Sequence, residues 1–447
     1  MSYSPHTDND RAEMLKVIGV QNVEELFADV PERVRFPKLN LPGPLSEMET
    51  LRELMELADI NAHAQQQPIF LGAGAYNHFS PSVVNHIILR GEFLTAYTPY
   101  QPEISQGTLQ VIFEYQSMIC ALTGMEAANA SHYDGATSMA EAVIMAYHHY
   151  RERRKKIVLS PAIHPQYRAV VRTYIQGAGL NVVGDDRPDN DPAALARMVD
   201  ADTALLIVQS PNFFGQIEDL SGLAAQVHAA GALLGVAVDP ISLGLLKPPG
   251  QHGADIVVGE GQSLGLPLSF GGPYLGFFAT RKEYVRKMAG RLVGEAYDKN
   301  GQRGYVLTLA TREQHIKREK ATSNICTNQG LMAIAATVYL STLGRQGLRK
   351  VAELCWHKSH YAARQIAALP GFSVDASRPF FKEFAVQCPR PVSEINRRLL
   401  DDWGIIGGYD LGQDYPHLKD HMLVCVTEMN SREEIETLVE ALREIAA

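Results

Sequence analysis

The 447-residue sequence has few cysteines and lacks the patterns of secreted and membrane proteins. None of the five cysteines belongs to a C-x-x-C pair, which argues against a disulfide framework: Cys120, Cys326, Cys355, Cys388 and Cys425. The longest apolar stretch, 230–246, is interrupted by glycines, an aspartate and a proline, so we expect no transmembrane helix. The first residues lack the basic and apolar regions of a signal peptide. The sequence therefore favours a cytoplasmic protein that does not interact with membranes.

Positive charge is also scarce. The chain has 41 Lys and Arg against 50 Asp and Glu, which gives a formal net charge of −9. A protein that binds nucleic acid without sequence preference needs a basic excess to displace counterions, so we expect no nucleic-acid partner. The local cluster of Cys355, His357 and His360 lacks a further nearby ligand, and we expect no metal site there.

Three regions follow one another along the chain. Residues 1–65 are expected to form a helical arm, with a capping box at Ser46 and Glu49. Residues 66–344 alternate short apolar strands with amphipathic helices, which predicts a large α/β domain with a mostly parallel sheet. The strands of this region are predicted at 156–160, 204–210, 233–239, 255–259 and 274–279. A long helix at 329–343 is expected to end near Gly344, and residues 345–447 are expected to form a small α+β domain.

One predicted helix start is suited to binding an anion. The segment YDGATSMAEA (133–142) opens its helix with Gly135, Ala136, Thr137 and Ser138. Free N–H groups at a helix N-terminus, together with the two hydroxyl groups, would form a cup for an anion such as a phosphate. A capped helix start that binds nothing is the alternative.

Two further side chains follow predicted strands. Asp239 ends the strand LLGVAVD, at the edge where parallel sheets bind ligands. In enzymes that use pyridoxal phosphate, such an aspartate pairs with the protonated pyridine nitrogen. His164 follows the strand at 156–160 and would stack on a cofactor ring. An ordinary Asp-Pro turn and a structural histidine are the alternatives.

The order of these features resembles the large domain of fold-type I pyridoxal-phosphate enzymes. More narrowly, the chain resembles the glycine decarboxylase family, the P-protein of the glycine cleavage system. The segments that carry the resemblance are LGAGAYNHFSPSVV (71–84), RGEFLTAYTPYQPEISQGTLQ (90–110), YDGATSMAEA (133–142), GADIVVGEGQSLGLPLSFGGPYLGFFA (253–279) and TREQHIKREKATSNICTNQGLMA (311–333). They lie within residues 15–345, and the resemblance implies a seven-stranded sheet in the large domain.

The lysine that holds the cofactor in this family is missing. In catalytic members the strand after the aspartate leads into a His-Lys pair, whereas Gly261 and Gln262 stand at those positions here. An amide nitrogen is not nucleophilic enough to form an imine, so Gln262 cannot bind pyridoxal phosphate covalently. The resemblance therefore implies a chain without a catalytic residue. Gln262, Asp239, His164 and the helix start at 135–138 would be remnants of a cofactor site.

The family itself accounts for this departure. In many bacteria the P-protein is split into a β chain, which keeps the lysine and the cofactor, and a non-catalytic α chain. The resemblance implies that this sequence is the α chain of an α2β2 assembly. That assembly decarboxylates glycine through pyridoxal phosphate and transfers the aminomethyl group to the lipoyl arm of H-protein.

Fold-type I enzymes build their active sites at a dimer interface, so we expect loops of this chain to reach the partner's site. The segments TAYTPYQPE and REKATSNICTNQ supply the candidates: Tyr97, Thr98, Tyr100, Gln101, Glu103, Arg318, Thr322, Ser323 and Asn324. Ordinary interface packing is the alternative for the aromatic pair, Tyr97 and Tyr100.

Two other functions stay open. The chain could be a self-sufficient enzyme that uses another lysine, such as Lys282, or a regulatory scaffold without a catalytic partner.

Overall fold

A computed structural model describes residues 5–61, 63–64, 66–187, 191–375 and 377–446 of the chain. It contains two compact units, residues 1–62 and 63–447. The α-helices are α1 (Asp8–Ile18), α2 (Glu47–Asp59), α3 (Ser82–Ile88), α4 (Gly91–Leu94), α5 (Gln106–Thr123), α6 (Gly135–His149), α7 (Pro165–Tyr174), α8 (Pro192–Ala196), α9 (Leu223–Ala229), α10 (Gln314–Lys317), α11 (Gly330–Ala367), α12 (Val392–Trp403) and α13 (Arg432–Ala446).

The strands fall into three sheets. They are β1 (Ala127–Ala128), β2 (Lys156–Leu159), β3 (Asn181–Val183), β4 (Thr203–Gln209), β5 (Leu233–Val238), β6 (Ile256–Glu260), β7 (Gly276–Thr280), β8 (Leu292–Tyr297), β9 (Arg303–Thr308), β10 (Ser373–Val374), β11 (Glu383–Gln387), β12 (Tyr409–Asp410) and β13 (His421–Cys425). Among the helices that these ranges contain, none is long and apolar enough to cross a membrane.

The first unit is helical. Helix α2 begins at the predicted capping box, in which the Ser46 side chain accepts from the Glu49 amide and the Glu49 side chain accepts from the Ser46 amide. Helix α1 begins with the same device, built from Thr7 and Asp10. These caps satisfy N–H groups that would otherwise lack partners at the start of each helix.

The large sheet of the second unit has seven strands in the order β1-β7-β6-β5-β4-β2-β3. Strands β2 to β6 pair in parallel, whereas β7 runs antiparallel to both β6 and β1. This confirms the expected mostly parallel seven-stranded sheet. Its central strands are continuous apolar runs because both of its faces are covered.

The two faces of the sheet bury different helices. On one face, Val236 and Val257 belong to a core cluster with Tyr115 of α5 and Tyr339 of α11. On the other face, Leu205 and Ile207 belong to a cluster with Met139 and Val143 of α6. The sheet therefore fixes the start of α6 beside the carboxyl ends of β5 and β6, where the predicted ligand residues lie.

The C-terminal part of the second unit contains a four-stranded antiparallel sheet in the order β10-β11-β13-β12. Helices α12 and α13 bury one apolar face each against it, with Ile395 and Leu438 in the same core cluster. Helix α11 consists of two helical segments that meet at a kink, because Gly344 has φ 57° and ψ −173°, which lie outside the helical region. The first segment therefore ends near Gly344, as expected, and the second continues to Ala367.

Candidate functional site

A small cleft lies at the carboxyl ends of β4, β5 and β6. Its walls come from these strand ends, from the loop around Tyr76 and from Lys382 and Glu383 at the start of β11. The free volume inside is about 40 Å³, which is close to the volume of one water molecule. Cofactor and ligand pockets usually measure about 300 Å³ or more. The side chains that fill this space therefore define the chemistry of the site.

Asp239 forms a buried ion pair with Lys382. The Lys382 Nζ lies 2.7 Å from Asp239 Oδ2, and the two side chains are 2% and 10% exposed. Burial lowers the pKa of Lys382, but the charge and hydrogen bond of Asp239 together with the neighbouring Cys425 and Cys355 thiols outweigh this effect, and the pKa is raised overall. The ammonium also lies 3.5 Å from the centre of the Tyr76 ring. The carboxylate expected to pair with a protonated pyridine thus pairs with a lysine of the chain itself.

A chain of hydrogen bonds continues from Lys382. Its Nζ lies 3.0 Å from Nε2 of His78, and His78 Nδ1 lies 2.7 Å from Oε2 of Glu428. Burial, and then the Lys382 charge, lower the pKa of His78, so this ring is neutral and bridges the ammonium to the carboxylate. His78, Cys355 and Glu428 bring possible metal ligands within 4.8 Å of one another. The adjacent ammonium opposes a cation there.

The N-terminus of α6 faces the Glu260 carboxylate. Gly135 N–H donates to Glu260 Oε2 at 3.0 Å, and the amides of Gln262 and Leu275 donate to Oε1. Burial raises the pKa of Glu260 to about 7, although these backbone hydrogen bonds oppose the shift. A Cβ atom at Gly135 would clash with the Tyr167 hydroxyl. The space next to the helix start is thus taken up by protein atoms.

The hydroxyl groups of the same helix start serve its cap. Asp134 is the N-cap and accepts from the Thr137 amide at 2.7 Å. The Ser138 hydroxyl donates to the Asp134 carbonyl at 2.8 Å. Ala136 follows Gly135 inside the helix and is buried. The structure therefore directs both hydroxyl groups towards Asp134.

His164 stacks on a protein ring. Its imidazole lies 4.9 Å from the Tyr167 ring, with 19° between the two planes. Its Nε2 lies 2.8 Å from the Ala73 carbonyl oxygen. Burial lowers the pKa of His164. One face of the His164 ring is therefore covered by Tyr167.

Gln262 is fully buried, and its side-chain amide hydrogen-bonds to the backbone of the Tyr76 loop. Its Oε1 accepts from the Tyr76 amide at 2.9 Å. Its Nε2 donates to the carbonyls of Tyr76 and Leu266 at 3.0 and 2.9 Å. A lysine ammonium can only donate, so it could not replace this pattern.

The residues of this cleft do not fit pyridoxal phosphate. The cofactor needs a primary amine, an open anion cup and a free carboxylate at its pyridine nitrogen. Here Gln262 supplies an amide, Glu260 faces the cup and Lys382 pairs with Asp239. Lys282, the alternative lysine considered from the sequence, is exposed and does not line the cleft.

The two partner-facing segments predicted from the sequence meet through Arg291. Its guanidinium donates to the Tyr100 hydroxyl at 3.0 Å, to Thr327 Oγ1 at 3.3 Å and to Asn328 Oδ1 at 3.4 Å. The Arg291 side chain is 4% exposed, and Glu313 lies 3.6 Å away. Arg291 was missed from the sequence because no motif surrounds this isolated arginine before β8.

Most of the candidate residues in these segments lie at the surface. Tyr97 is 83% exposed and Tyr100 is 49% exposed. The other exposed candidates are Gln101, Glu103, Arg318 and Asn324, whereas Thr98, Thr322 and Ser323 are half-buried. Ser323 donates to Oε1 of Glu141 on α6 at 2.6 Å, so the second segment is also anchored to the large sheet domain.

Comparisons with known proteins give consistent matches over the whole chain. The model of the family described as Glycine cleavage system P-protein matches residues 1–442. A protein of Thermomicrobium roseum named "Probable glycine dehydrogenase (decarboxylating) subunit 1" is 58% identical, with 100% of both chains covered. A protein of Desulforamulus reducens with the same name is 56% identical at the same coverage.

Solved structures agree with these matches. The crystal structure of a glycine decarboxylase (P-protein) of the glycine cleavage system, in inhibitor-bound form, has a TM-score of 0.90 and 44% identity, with 100% of both chains covered. A glutamate decarboxylase of Lactobacillus brevis has a TM-score of 0.68 at 15% identity, covering 94% of this chain and 97% of that one. The second likeness concerns the fold alone.

Proposed function

Because this chain belongs to the glycine cleavage system P-protein family, we propose that it is the α subunit of a heteromeric glycine decarboxylase. In this proposal a β subunit holds pyridoxal phosphate through its own lysine, and lipoylated H-protein receives the aminomethyl group of glycine. Two copies of each subunit form an α2β2 assembly in the cytoplasm. The family model and the relatives named subunit 1 support the assignment to glycine decarboxylation.

The observation that carries this proposal is the buried amide of Gln262 at the position of the family's lysine. Both ends of the amide are bonded to the backbone, so the side chain has a stable place without a cofactor. A chain of this family that lacks the amine needs a partner that has it. Gln262, Asp239, His164 and residues 135–138 are then remnants of a cofactor site.

The contribution of this chain lies in the two loops that Arg291 joins. They supply the residues that contact the partner's active site: Tyr97, Thr98, Tyr100, Gln101, Glu103, Arg318, Thr322, Ser323 and Asn324. The large exposed ring of Tyr97 supports an interface role, because aromatic residues are enriched where proteins meet. The hydrogen bonds of the buried Arg291 guanidinium to Tyr100 and Thr327 fix the geometry of the two loops. Loops that line an active site need such a fixed geometry to orient the substrate.

The chemistry divides between the subunits accordingly. Pyridoxal phosphate on the partner supplies the electron sink for decarboxylation. The loops of this chain exclude water from the shared cavity and orient glycine by contacts to its polar groups. No proton transfer is assigned to the closed cleft of this chain.

Glycine–CO2 exchange tests the proposal. The purified chain alone is expected to give no exchange, and addition of a lysine-bearing partner is expected to produce it. The variant Lys282→Ala should behave like the wild type in both assays. Exchange by the chain alone that is lost in Lys282→Ala would support the self-sufficient enzyme instead. Stable binding to the partner without exchange under any condition would support the scaffold.

A further inference from the structure

We propose that this chain contains a built-in mimic of the cofactor that its family binds. The Lys382 ammonium takes the place of the protonated pyridine nitrogen at Asp239, and the Glu260 carboxylate takes the place of the phosphate at the start of α6. The mimic keeps the cleft closed to pyridoxal phosphate even when an amine is restored at position 262. The mimic is a property of the chain by itself, independent of its proposed role in the complex.

The cationic half of the mimic satisfies the charge of Asp239. A carboxylate in a place this enclosed needs a positive partner, and Lys382 provides one at 2.7 Å. The ammonium has further partners in the His78 nitrogen and the Tyr76 ring, so it is not held by Asp239 alone. A pyridine nitrogen could reach Asp239 only if this lysine left the cleft.

The lysine also points to the wrong end of a cofactor ring. The carbon of pyridoxal phosphate that reacts with amines lies opposite the ring nitrogen. A lysine bound to the aspartate that receives the nitrogen cannot at the same time reach this carbon. Lys382 is therefore a counter-charge to Asp239 and not a replacement for the missing lysine.

The carboxyl half of the mimic occupies the helix N-terminus. Helix starts attract anions because their free N–H groups carry partial positive charge. The Glu260 carboxylate uses this preference by accepting from Gly135, and it also accepts from Gln262 and Leu275. The Tyr167 hydroxyl lies so close to Gly135 that even a methyl group would clash there. A phosphate would have to displace both side chains.

The mimic also joins the two sheets of the second unit. Lys382 immediately precedes β11 of the C-terminal sheet, whereas Asp239 follows β5 of the large sheet. Glu383 strengthens the junction, since its Oε1 accepts from the Ala73 amide at 2.7 Å and its Oε2 accepts from the Tyr76 hydroxyl at 2.8 Å. Loss of the cofactor is thus compensated by contacts that fix the closed cleft.

Covalent labelling of variants tests the mimic. The full chain would be prepared as Gln262→Lys, as Gln262→Lys/Lys382→Met and as Gln262→Lys/Glu260→Ala/Lys382→Met. A matched control, Gln262→Lys/Lys350→Met, removes an exposed lysine of α11 instead. Each is incubated with pyridoxal phosphate and reduced with borohydride, and the label on residue 262 is quantified by peptide mapping.

The triple variant is expected to carry at least about ten-fold more label at residue 262 than the single variant or the control, because both the counter-charge and the carboxylate are gone. The double variant should lie between them. Equal labelling of the single variant and a folded triple variant would overturn the proposal, whichever level both reach.

A measurement on the wild type covers the case in which the triple variant does not fold. In equilibrium dialysis with pyridoxal phosphate, the wild-type chain is expected to bind less than about a tenth of an equivalent, because its charged groups are already paired. Binding of one equivalent would overturn the mimic. Neither measurement involves the partner subunit, so failure of the mimic and failure of the proposed glycine decarboxylation are distinguishable.

Discussion

Buried carboxyl groups of the second unit differ in their partners, and the partners determine which groups carry charge. Asp239 faces the Lys382 ammonium. Burial opposes ionisation of Glu428, but the hydrogen bonds from His78 and Phe79 hold its pKa at about 2. Burial raises the pKa of Glu141 to about 7 despite the hydrogen bond from Ser323, and no cation of the described residues forms an ion pair with it. Glu141 is therefore protonated in the folded chain at mildly acidic pH.

The pH dependence of stability should reveal the Glu141 proton. Its folded pKa of about 7 lies above the ordinary value of 4.5, so the folded state binds more protons between these values. The free energy of unfolding therefore falls as the pH rises through this window. Glu141→Gln has no such proton. From about pH 5 to about pH 8, we therefore expect the free energy of unfolding of the wild type to fall by roughly 1 to 3 kcal/mol more than that of Glu141→Gln.

Urea unfolding at the two pH values measures this difference. The control Glu444→Gln changes an exposed carboxyl group near the end of α13 and should leave the pH dependence unchanged. Parallel pH curves for Glu141→Gln and the wild type would show that Glu141 is already ionised at pH 5, against the expectation.

At the level of elements, the start of α6 closes one side of the cleft, and Arg291 joins the two loops. Helix α6 begins where three features coincide: the Asp134 cap, the Glu260 carboxylate and the Tyr167 ring. Such packing leaves no room for a side chain at Gly135. The loops at 97–103 and 322–328 are joined to each other by one buried guanidinium, because Arg291 bonds to both.

Two glycine substitutions at helix starts should have opposite effects. Gly135→Ala places a methyl group against Tyr167 and is expected to lower the free energy of unfolding by about 2 to 3 kcal/mol. Gly107→Ala, at the start of α5, meets open space and is expected to raise it by about 0.5 kcal/mol, because alanine favours the helix. Chemical denaturation measures both. Equal stability of the two variants would contradict the packing described at α6.

Substitution of Arg291 should disturb the loops at 97–103 and 322–328 together. If these loops contact a partner's active site as proposed, we expect Arg291→Gln to lower kcat/KM for glycine of the reconstituted complex by about ten-fold or more. Arg291→Lys keeps the charge but loses the planar fork, so an intermediate value is expected. Hydrogen exchange of residues 97–103 and 322–328 should accelerate in parallel. The exposed Arg286→Gln is the control, and unchanged exchange in Arg291→Gln would refute the link.

For the whole molecule, the sequence predicted the layers better than the contacts between them. The strands β4, β5 and β6 were predictable because buried parallel strands are continuous apolar runs. The two-residue strands β1 and β12 carry no such signal. The order of the strands in the sheet was not predicted, because no local pattern in the sequence encodes which strands are neighbours.

In the cleft, too, the sequence predicted some residues but not the contacts between them. Asp239 and Gln262 were found in the sequence because they follow predicted strands and match a family motif. Lys382, Glu260 and Arg291 were missed because their partners are distant in the chain, and no periodicity marks a side chain that pairs across two sheets. Such tertiary pairing decides whether the cleft is open or closed.

The location of the cofactor in the reconstituted complex tests the central claim most directly. The complex of this chain with the proposed lysine-bearing partner would be reduced with borohydride, digested and mapped for peptides that carry the cofactor. We predict that every labelled peptide derives from the partner, because this chain offers an amide at position 262 and a paired lysine at position 382. Stoichiometric label on a lysine of this chain would contradict the account.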